Sequence, residues 1–283
     1  GRDVTSDQLK YAIKYNRISI LNLTLTSDNR LVDTTPVQHP QQKSEEQRIK
    51  DLIAKAKLLG ISVKEIPTAC NHICYLISKS DTEHIIYIPD DVIMVNDKHK
   101  YEADGIIFTK PIWKLNGTLK VIGGHNLKDA YALFCCCNFQ SLDLSSFDTN
   151  NIIYMDDIFD SCRAQSLDLS SFDTSNVTSM NKMFQFCEAQ SIDLSAFDTH
   201  NVTEMTAMFR GCKALSLDLS SFDTHNVEYM NAMFQFCEAE YINLSSFSTS
   251  NVKDMEIIFE YCKAKIDCTD IRIIREYKSI KSR

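Results

Sequence analysis

The chain has 283 residues, of which 44% are hydrophobic and 24% charged, so it is long and apolar enough to bury the core of one or two domains. This composition excludes disorder as the dominant state. The formal net charge of −8 argues against nucleic acid as a partner, since few spare cations remain to contact phosphates. No apolar run approaches the roughly 20 residues that a membrane-spanning helix needs.

The first part of the chain, residues 1–112, holds all 5 prolines and is predicted to be a small α+β capping domain. An apolar stripe over 49–59 follows a capping box and precedes Gly60, which predicts a helix that stops at the glycine. A shorter helix is predicted over 6–15, and a hairpin turn at 89–91. Strands are predicted over 18–25, 73–77, 85–88, 92–95 and 105–109.

The middle of the chain, residues 113–265, contains an internal repeat of 25 residues. Apolar residues recur at fixed positions of the repeat, and each such set is called a column below. The leucine column holds Leu144, Leu169, Leu194, Leu219 and Leu244, and the cysteine column holds Cys137, Cys162, Cys187, Cys212, Cys237 and Cys262. A degenerate copy that begins near residue 116 brings the number of coils to six. A fixed period of this size indicates a solenoid, whose units bury their apolar faces by stacking.

One repeat, residues 166–190, shows the predicted local structure. Polar and apolar residues alternate over 166–170, which predicts a strand with one buried face. Over 177–187 the apolar spacing becomes i, i+3, i+6, i+7 and i+10, which predicts a short helix. Each coil is therefore predicted as strand, turn and helix, with one parallel sheet on one face of the solenoid and helices on the other.

The string at residues 166–187 resembles the repeat of BspA-type bacterial leucine-rich repeat proteins almost letter for letter. This resemblance covers about residues 116–265 and implies a right-handed leucine-rich repeat fold, binding rather than catalysis, and a surface or secreted location. It supplies no established functional residue. The predicted fold class is thus α/β, a solenoid between the N-terminal domain and a C-terminal cap with a basic tail at 266–283. Unpaired cysteine usage instead favours the cytoplasm, so the compartment stays open.

A column of acidic residues is the first candidate binding site. On the strand face, carboxylates stack at about 4.8 Å, the spacing between neighbouring strands. The column holds Asp143, Asp168, Asp193 and Asp218. One hypothesis is a groove for a cation or a glycan, and the alternative is a solvated face that resists edge aggregation. We expect the carboxylates to raise one another's pKa, so that stability increases as the pH falls towards about 4.

An aromatic column is the second candidate site. Phe186 and Phe236 flank Gly211, which leaves a gap between two rings, and Arg210 lies alongside. The helical phase predicts partial exposure for this column. One hypothesis is an apolar notch that accepts a partner side chain, because exposed aromatic residues and arginine are frequent interface anchors. The alternative is that both rings fold over the gap and extend the core.

Histidine and cysteine residues provide weaker candidates for a metal site. His200 and His225 share a column in adjacent coils, but two exposed histidines on turns are the favoured interpretation. Cys70, His72 and Cys74 have a spacing that puts them on one side of a strand, without an evident fourth ligand. The cysteine column is predicted to hold buried, reduced thiols. No metal and no cofactor is predicted.

Catalytic motifs such as a phosphate-binding loop or a nucleophile elbow are missing from the sequence. The favoured prediction is a non-catalytic, monomeric module for protein–protein contact or adhesion. Two alternatives remain: binding of a glycan polymer or other extracellular-matrix ligand through the aspartate and serine columns, and a scaffold that presents the N-terminal domain.

Overall fold

The computed structural model describes residues 51, 53–56, 58–68, 70, 72–96 and 115–281, together with the backbone of three short strands near the N-terminus. The chain divides into two compact units, Gly1–Gly60 and Ile61–Arg283.

The described part of the first unit contains three strands in the antiparallel order β1-β3-β2. They are β1 (Asp3–Val4), β2 (Leu23–Leu25) and β3 (Leu31–Asp33). Residues 53–56 are helical, and Gly60 has a φ of +67°, as expected for a glycine that ends a helix. The predicted helix over 6–15 and the predicted strand over 105–109 lie outside the described residues, as does most of the strand predicted over 18–25.

The second unit contains ten strands among its described residues and ends in a C-terminal helix, Ile271–Lys281. The strands are β4 (Ser62–Pro67), β5 (Ile73–Ser78), β6 (Glu83–Ile88), β7 (Thr118–Gly123), β8 (Ser141–Phe147), β9 (Ser166–Asp168), β10 (Ser191–Asp193), β11 (Ser216–Asp218), β12 (Tyr241–Leu244) and β13 (Lys265–Cys268). They form sheets β4-β5-β6-β7-β8, β9-β10 and β11-β12-β13. The single parallel sheet predicted for the solenoid is therefore divided, because central strands of three residues carry few ladder bonds.

The strand β6 is the first layer of the stack. It pairs parallel with β7, the strand of the first predicted coil, with Glu83 opposite Thr118. The predicted strands over 73–77 and 85–88 are confirmed within β5 and β6. The strand predicted over 92–95 is wrong: after the turn, only Met94 makes a bridge, parallel to Asp129. The chain turns a solenoid corner there instead of returning as a hairpin.

The predicted solenoid with its α/β character is confirmed, and its core is continuous. Every member of the leucine column is buried, and so is the cysteine column. The methionine column (Met155, Met180, Met205, Met230 and Met255) and the phenylalanine column (Phe159, Phe184, Phe209, Phe234 and Phe259) are buried too. On the side opposite the strands, one line of parallel bridges runs unbroken from Met94 to Asp254. The register shifts within the first coil, where Leu119 lies beside Leu142 and a bulge then separates Lys120 from Ile122. The bulge allows the strand of the degenerate copy to pair with the strand of the first regular repeat although the two differ in register.

The side opposite the strands consists of turns, which corrects the prediction of a short helix in each coil. Alternate N–H groups donate along the stack: Lys182 to the Thr206 carbonyl at 2.9 Å and Phe184 to the Met208 carbonyl at 2.8 Å. The groups between them close tight turns, such as Gln185 N–H to the Lys182 carbonyl at 3.0 Å. A helix needs every N–H to point back along its own chain. The apolar spacing was compatible with both arrangements, and the bonds to the next coil decide between them.

Two columns of this turn face have left-handed backbone conformations. Their φ values lie between 49° and 63°, a region that costs about 1–3 kcal/mol for a residue other than glycine. One column holds Ala132, Asp157, Lys182, Ala207, Ala232 and Ile257, and the other holds Cys136, Ser161, Phe186, Gly211, Phe236 and Tyr261. Only Gly211 among these twelve is suited to the conformation without strain. Hydrogen bonds to neighbouring coils must therefore stabilise the left-handed conformation of the other eleven residues.

Polar side chains between strand and turns also bind neighbouring coils. In the threonine column, buried Thr199 donates its hydroxyl to the Asp223 carbonyl at 2.9 Å and accepts the Asp223 N–H at 2.8 Å. In the asparagine column, Asn226 donates from its amide to the His200 carbonyl of the preceding coil at 2.7 Å. Since no helix follows, these side chains form ladders that fix the register of the stack.

The C-terminal helix covers the last coil. Asp270 precedes the helix and accepts the N–H groups of Arg272 at 2.9 Å and Ile273 at 3.1 Å. Its carboxylate also accepts the Thr249 hydroxyl at 2.8 Å, so it takes the place of a further coil in the threonine column. Ile273 is buried against the core. No helix in the described part of the chain has the length and apolar character to cross a bilayer.

Candidate functional site

The acidic column lies on the strand face, as predicted, and each carboxylate is held within its own coil. Asp168 accepts the backbone N–H of Ser170 at 3.1 Å and its hydroxyl at 2.6 Å. Asp193 makes the equivalent bonds to Ser195 at 3.0 and 2.7 Å. The turn after each strand thus uses the carboxylate as an acceptor, which is a structural role for the column.

The two ends of the acidic column have additional partners. Asp143 pairs with the Lys120 ammonium at 2.7 Å. Asp218 accepts a bond from the Asn243 amide at 2.9 Å. A ligand for this face would meet carboxylates that already accept hydrogen bonds from the chain.

Asp193 does act to raise the pKa of Asp168, but the expectation of raised values is wrong, because the net pKa of each carboxylate in the column is lowered. The bonds from Ser170 and Ser195 lower the pKa of Asp168 and Asp193, and those from Ser220 lower the pKa of Asp218. For Asp143, partial burial acts to raise the pKa, but the bonds from Lys120 and Ser145 outweigh it and the pKa is lowered. Hydrogen bonds to the charged form outweigh the repulsion between exposed carboxylates spaced along the stack.

These lowered pKa values reverse the expected pH dependence. A carboxylate whose pKa is lower in the folded state stabilises that state above the unfolded pKa of about 4, and this contribution is lost as the pH falls through the folded value. We expect the melting temperature to fall between pH 6 and pH 3. The double substitution Asp168→Asn and Asp193→Asn should reduce this fall, because asparagine does not titrate and Asn243 already occupies the same column. An equal fall in both proteins would contradict the assignment.

The aromatic column is partly exposed, as predicted, although the turn conformation rather than a helix places it there. Phe186 is 44% exposed, Phe236 41% and Tyr261 65%. The ring of Phe186 lies over Gly211: a Cβ atom at that glycine would stand 2.4 Å from Phe186 Cδ1. The gap expected at Gly211 is therefore occupied from one side.

The second ring does not fold over the gap. Phe236 stacks on Tyr261 with ring centroids 4.8 Å apart and planes at 8°. The Arg210 guanidinium lies between the rings of Phe186 and Phe236. Its Cζ atom is 5.6 Å from the Phe186 centroid and 6.0 Å from the Phe236 centroid. We call Phe186, Arg210, Phe236 and Tyr261 the aromatic patch. The sequence placed Tyr261 in this column but gave no reason to select it.

The charge of Arg210 has no acidic counterpart among the ion pairs of the described residues. Its Nε atom is buried without a hydrogen-bond acceptor in that part of the chain. The neighbours in its column are the neutral Gln185 and Gln235. The ring faces of Phe186 and Phe236 lie beside the guanidinium, at distances compatible with cation–π contact.

The residues considered as metal ligands do not converge. His200 and His225 lie in one column, but each Nδ1 atom contacts an aspartate of its own coil, Asp198 and Asp223, at 2.7 Å. His125 Nδ1 instead contacts Asp148 of the next coil, at 2.8 Å. Within the described ranges, no three His, Cys, Asp or Glu side chains are grouped so that they could hold a metal ion.

The cysteine motif near the N-terminal edge of the stack is also dispersed. Cys70 Sγ lies 3.8 Å from His72 Nδ1 and donates to the Met94 carbonyl at 3.2 Å. Cys74 belongs to β5 and is fully buried in the core. The three residues predicted to share one side of a strand are therefore split between a turn and the sheet.

The cysteine column is buried, as predicted. Burial raises the pKa of the Cys162 and Cys212 thiols to about 11, so both are protonated at neutral pH. Their reduced state in the cell stays a prediction.

The fold and these surfaces define a repeat solenoid with an exposed polar ladder on one face and an aromatic patch on the other. Comparison with protein families found a match to the family described as "Mycoplasma protein of unknown function, DUF285", over residues 110–194 and again over 184–270. These matches cover more than half of the chain, and the chain belongs to this family. Neither the curated proteins nor the solved structures contain a match.

Proposed function

We propose that this chain is a non-catalytic module that binds a protein through the aromatic patch. The observation that carries the proposal is an arginine that forms no ion pair with a described acidic residue and lies between exposed rings. Aromatic residues and arginine contribute most of the binding energy in many interfaces. A folded repeat surface of this kind suits partner binding, because single coils can vary without altering the core.

The patch also suggests the chemistry of the partner. The guanidinium presents a positive charge, and Phe186, Phe236 and Tyr261 present apolar area around it. A carboxylate next to apolar side chains would match this surface, with the charge–charge hydrogen bond directed by the flat guanidinium. We therefore propose a partner segment that carries aspartate or glutamate beside an aromatic or aliphatic residue.

The family relationship and the setting are part of the same proposal. The near match of residues 166–187 to the BspA-type repeat supports a common origin with those leucine-rich repeat proteins. Adhesion or another protein contact at a bacterial cell surface is the function that this relationship suggests. The occupied carboxylates of the acidic column favour the aromatic patch over a glycan groove on the strand face.

A displayed peptide library selected against the full chain tests the proposal. We expect the selected peptides to contain an acidic residue beside an apolar one. The double substitution Arg210→Gln and Phe236→Ser should weaken their binding by about tenfold or more, as expected for interface anchors. Both new residues already occur in the same columns, at Gln185 and Ser161.

The matched control is the double substitution Asp168→Asn and Asp193→Asn on the strand face, which should leave peptide binding unchanged. Circular dichroism melts would verify that both variants are folded. Peptides that bind the patch variant as well as the unsubstituted chain would refute the proposal. Retention of a neutral glycan polymer that is lost only in the strand-face variant would favour the glycan hypothesis instead.

A further inference from the structure

Two adjacent thiols on the turn face, Cys135 and Cys136, are not required by the repeat. The neighbouring Cys137 belongs to the buried cysteine column, whose members recur in every coil. The positions of Cys135 and Cys136 are instead Asp160 and Ser161 in the next coil. In the later coils they hold Gln185 and Phe186, Arg210 and Gly211, Gln235 and Phe236, and Glu260 and Tyr261. The first coil alone among the six places two thiols here.

The two sulfur atoms lie side by side. Cys135 Sγ and Cys136 Sγ are 3.4 Å apart. Cys136 is exposed, whereas Cys135 is only 5% exposed and packs with Tyr131 and Ala132 in a small cluster separate from the main core. One thiol thus faces solvent, and the second lies directly behind it.

This geometry favours chelation over a disulfide. Disulfide-bonded cysteines usually have Cα atoms about 4.4–6.8 Å apart, whereas neighbouring residues are separated by about 3.8 Å across a trans peptide bond. A single atom with sulfur bonds of about 2.3 Å would bridge this pair at an S–X–S angle of about 95°. Linear coordination would need sulfur atoms about 4.6 Å apart. The spacing therefore suits a pyramidal centre best.

We propose that Cys135 and Cys136 are a chelating dithiol site for a trivalent, thiophilic metalloid, of which arsenic(III) is the representative. Reaction with an organoarsenic oxide forms two As–S bonds. The As=O bond breaks, and the oxygen leaves as water with the two thiol protons. The oxidation states of arsenic and sulfur do not change, so no oxidant or reductant is needed.

The surroundings of the pair help its first step. The hydrogen bond from Cys135 lowers the pKa of the Cys136 thiol to about 7 with help from the charge of Arg163, against the opposing effects of partial burial and of the Asp160 carboxylate. The thiolate, which is the nucleophilic form, is thus well populated at neutral pH. The exposed Cys136 would attack first, and Cys135 would close the chelate from behind.

Phenylarsine oxide is the probe that tests this site, added to the reduced full-length chain and measured by intact-protein mass spectrometry. We expect one adduct per chain, displaced by a dithiol but not by glutathione. The single substitution Cys136→Ser should weaken the binding by about 10²-fold or more, because the second sulfur then no longer binds intramolecularly. Serine fits this position, since Ser161 has a φ of 54° at the same place in the next coil.

Two further variants make the outcome decisive. Cys135→Ser should cause the same loss, and Cys268→Ser, which removes a half-buried thiol elsewhere, should bind as the unsubstituted chain does. The absence of an adduct on the folded chain would overturn the proposal. An adduct that survives Cys136→Ser or Cys135→Ser would also overturn it, since the arsenic would then be held by other thiols.

Discussion

Replacing Phe209 by alanine is expected to lower the free energy of unfolding by about 3–5 kcal/mol, the usual range for a fully buried phenylalanine. Its side chain is 0% exposed and stacks between Phe184 and Phe234, at centroid distances of 5.4 and 5.8 Å. The substitution opens a cavity and removes both ring contacts. The strained turns on either side limit how far the coil can collapse to fill it.

Urea denaturation of the full chain would measure this loss, and the exposed Tyr261→Ala provides the matched control. That control should cost no more than about 1.5 kcal/mol, because Tyr261 is 65% exposed and loses mainly its stacking on Phe236. The smaller change Phe209→Leu should give an intermediate value, because less volume is lost. A loss below about 1 kcal/mol for Phe209→Ala would show that the phenylalanine column does not hold the coils together.

Replacing Asp270 by alanine is expected to cost about 2–4 kcal/mol at the C-terminal end of the stack. The substitution removes the N-terminal cap of the C-terminal helix. It also leaves the N–H and hydroxyl groups of buried Thr249 without their acceptor. The guanidinium of Arg272, which donates to the Thr249 and Val252 carbonyls at 2.9 and 3.1 Å, would remain as a polar link, as would the Tyr277 hydroxyl, which donates to the Ala264 carbonyl at 2.8 Å.

Hydrogen exchange would locate this effect, since we expect the amide groups of the last coil, residues 241–262, to lose protection before those of the central coils. Substitution of the exposed Asp267 by alanine is the control, because that carboxylate caps no helix. Bonds to Thr249 and to the helix lower the pKa of Asp270 against the effect of partial burial, so the difference between the two variants should shrink below about pH 4. Unchanged protection in Asp270→Ala would contradict the capping role.

The sequence was sufficient to predict the solenoid and its buried columns, because a strict period of 25 residues leaves few ways to bury the same apolar positions. It was insufficient for the turn face. The apolar residues from Val177 to Cys187 have a spacing that satisfies a helix, and side-chain pattern carries no information about where each N–H points. The inter-coil bonds, such as that from Lys182 to Thr206, become visible only when the coils are stacked.

The candidate sites, like the fold, could be predicted only in part from the sequence. The helical phase predicted partial exposure for Phe186 and Phe236, and both are partly exposed although turns rather than a helix place them there. The phase did not predict that Phe186 covers Gly211 while Phe236 turns to Tyr261, because rotamers depend on the neighbouring coils. The sign of the pKa shifts in the acidic column was missed for a related reason. The spacing of the carboxylates is evident from the sequence. The hydrogen bonds from Ser170 and its equivalents, which lower the carboxylate pKa more than repulsion raises it, become evident only in the folded turn.

The ladders of threonine, asparagine and left-handed residues have a consequence for the length of the solenoid. The regular coils over 141–265 offer their neighbours the same donors and acceptors, so a whole repeat added or removed among them would meet matching groups at both new junctions. Each repeat added or removed would thus change the distance between the sheet that begins at β4 and the C-terminal helix by about 4.8 Å, which is one strand spacing. The number of repeats therefore sets the length of the stack, and Asp270 closes the last coil.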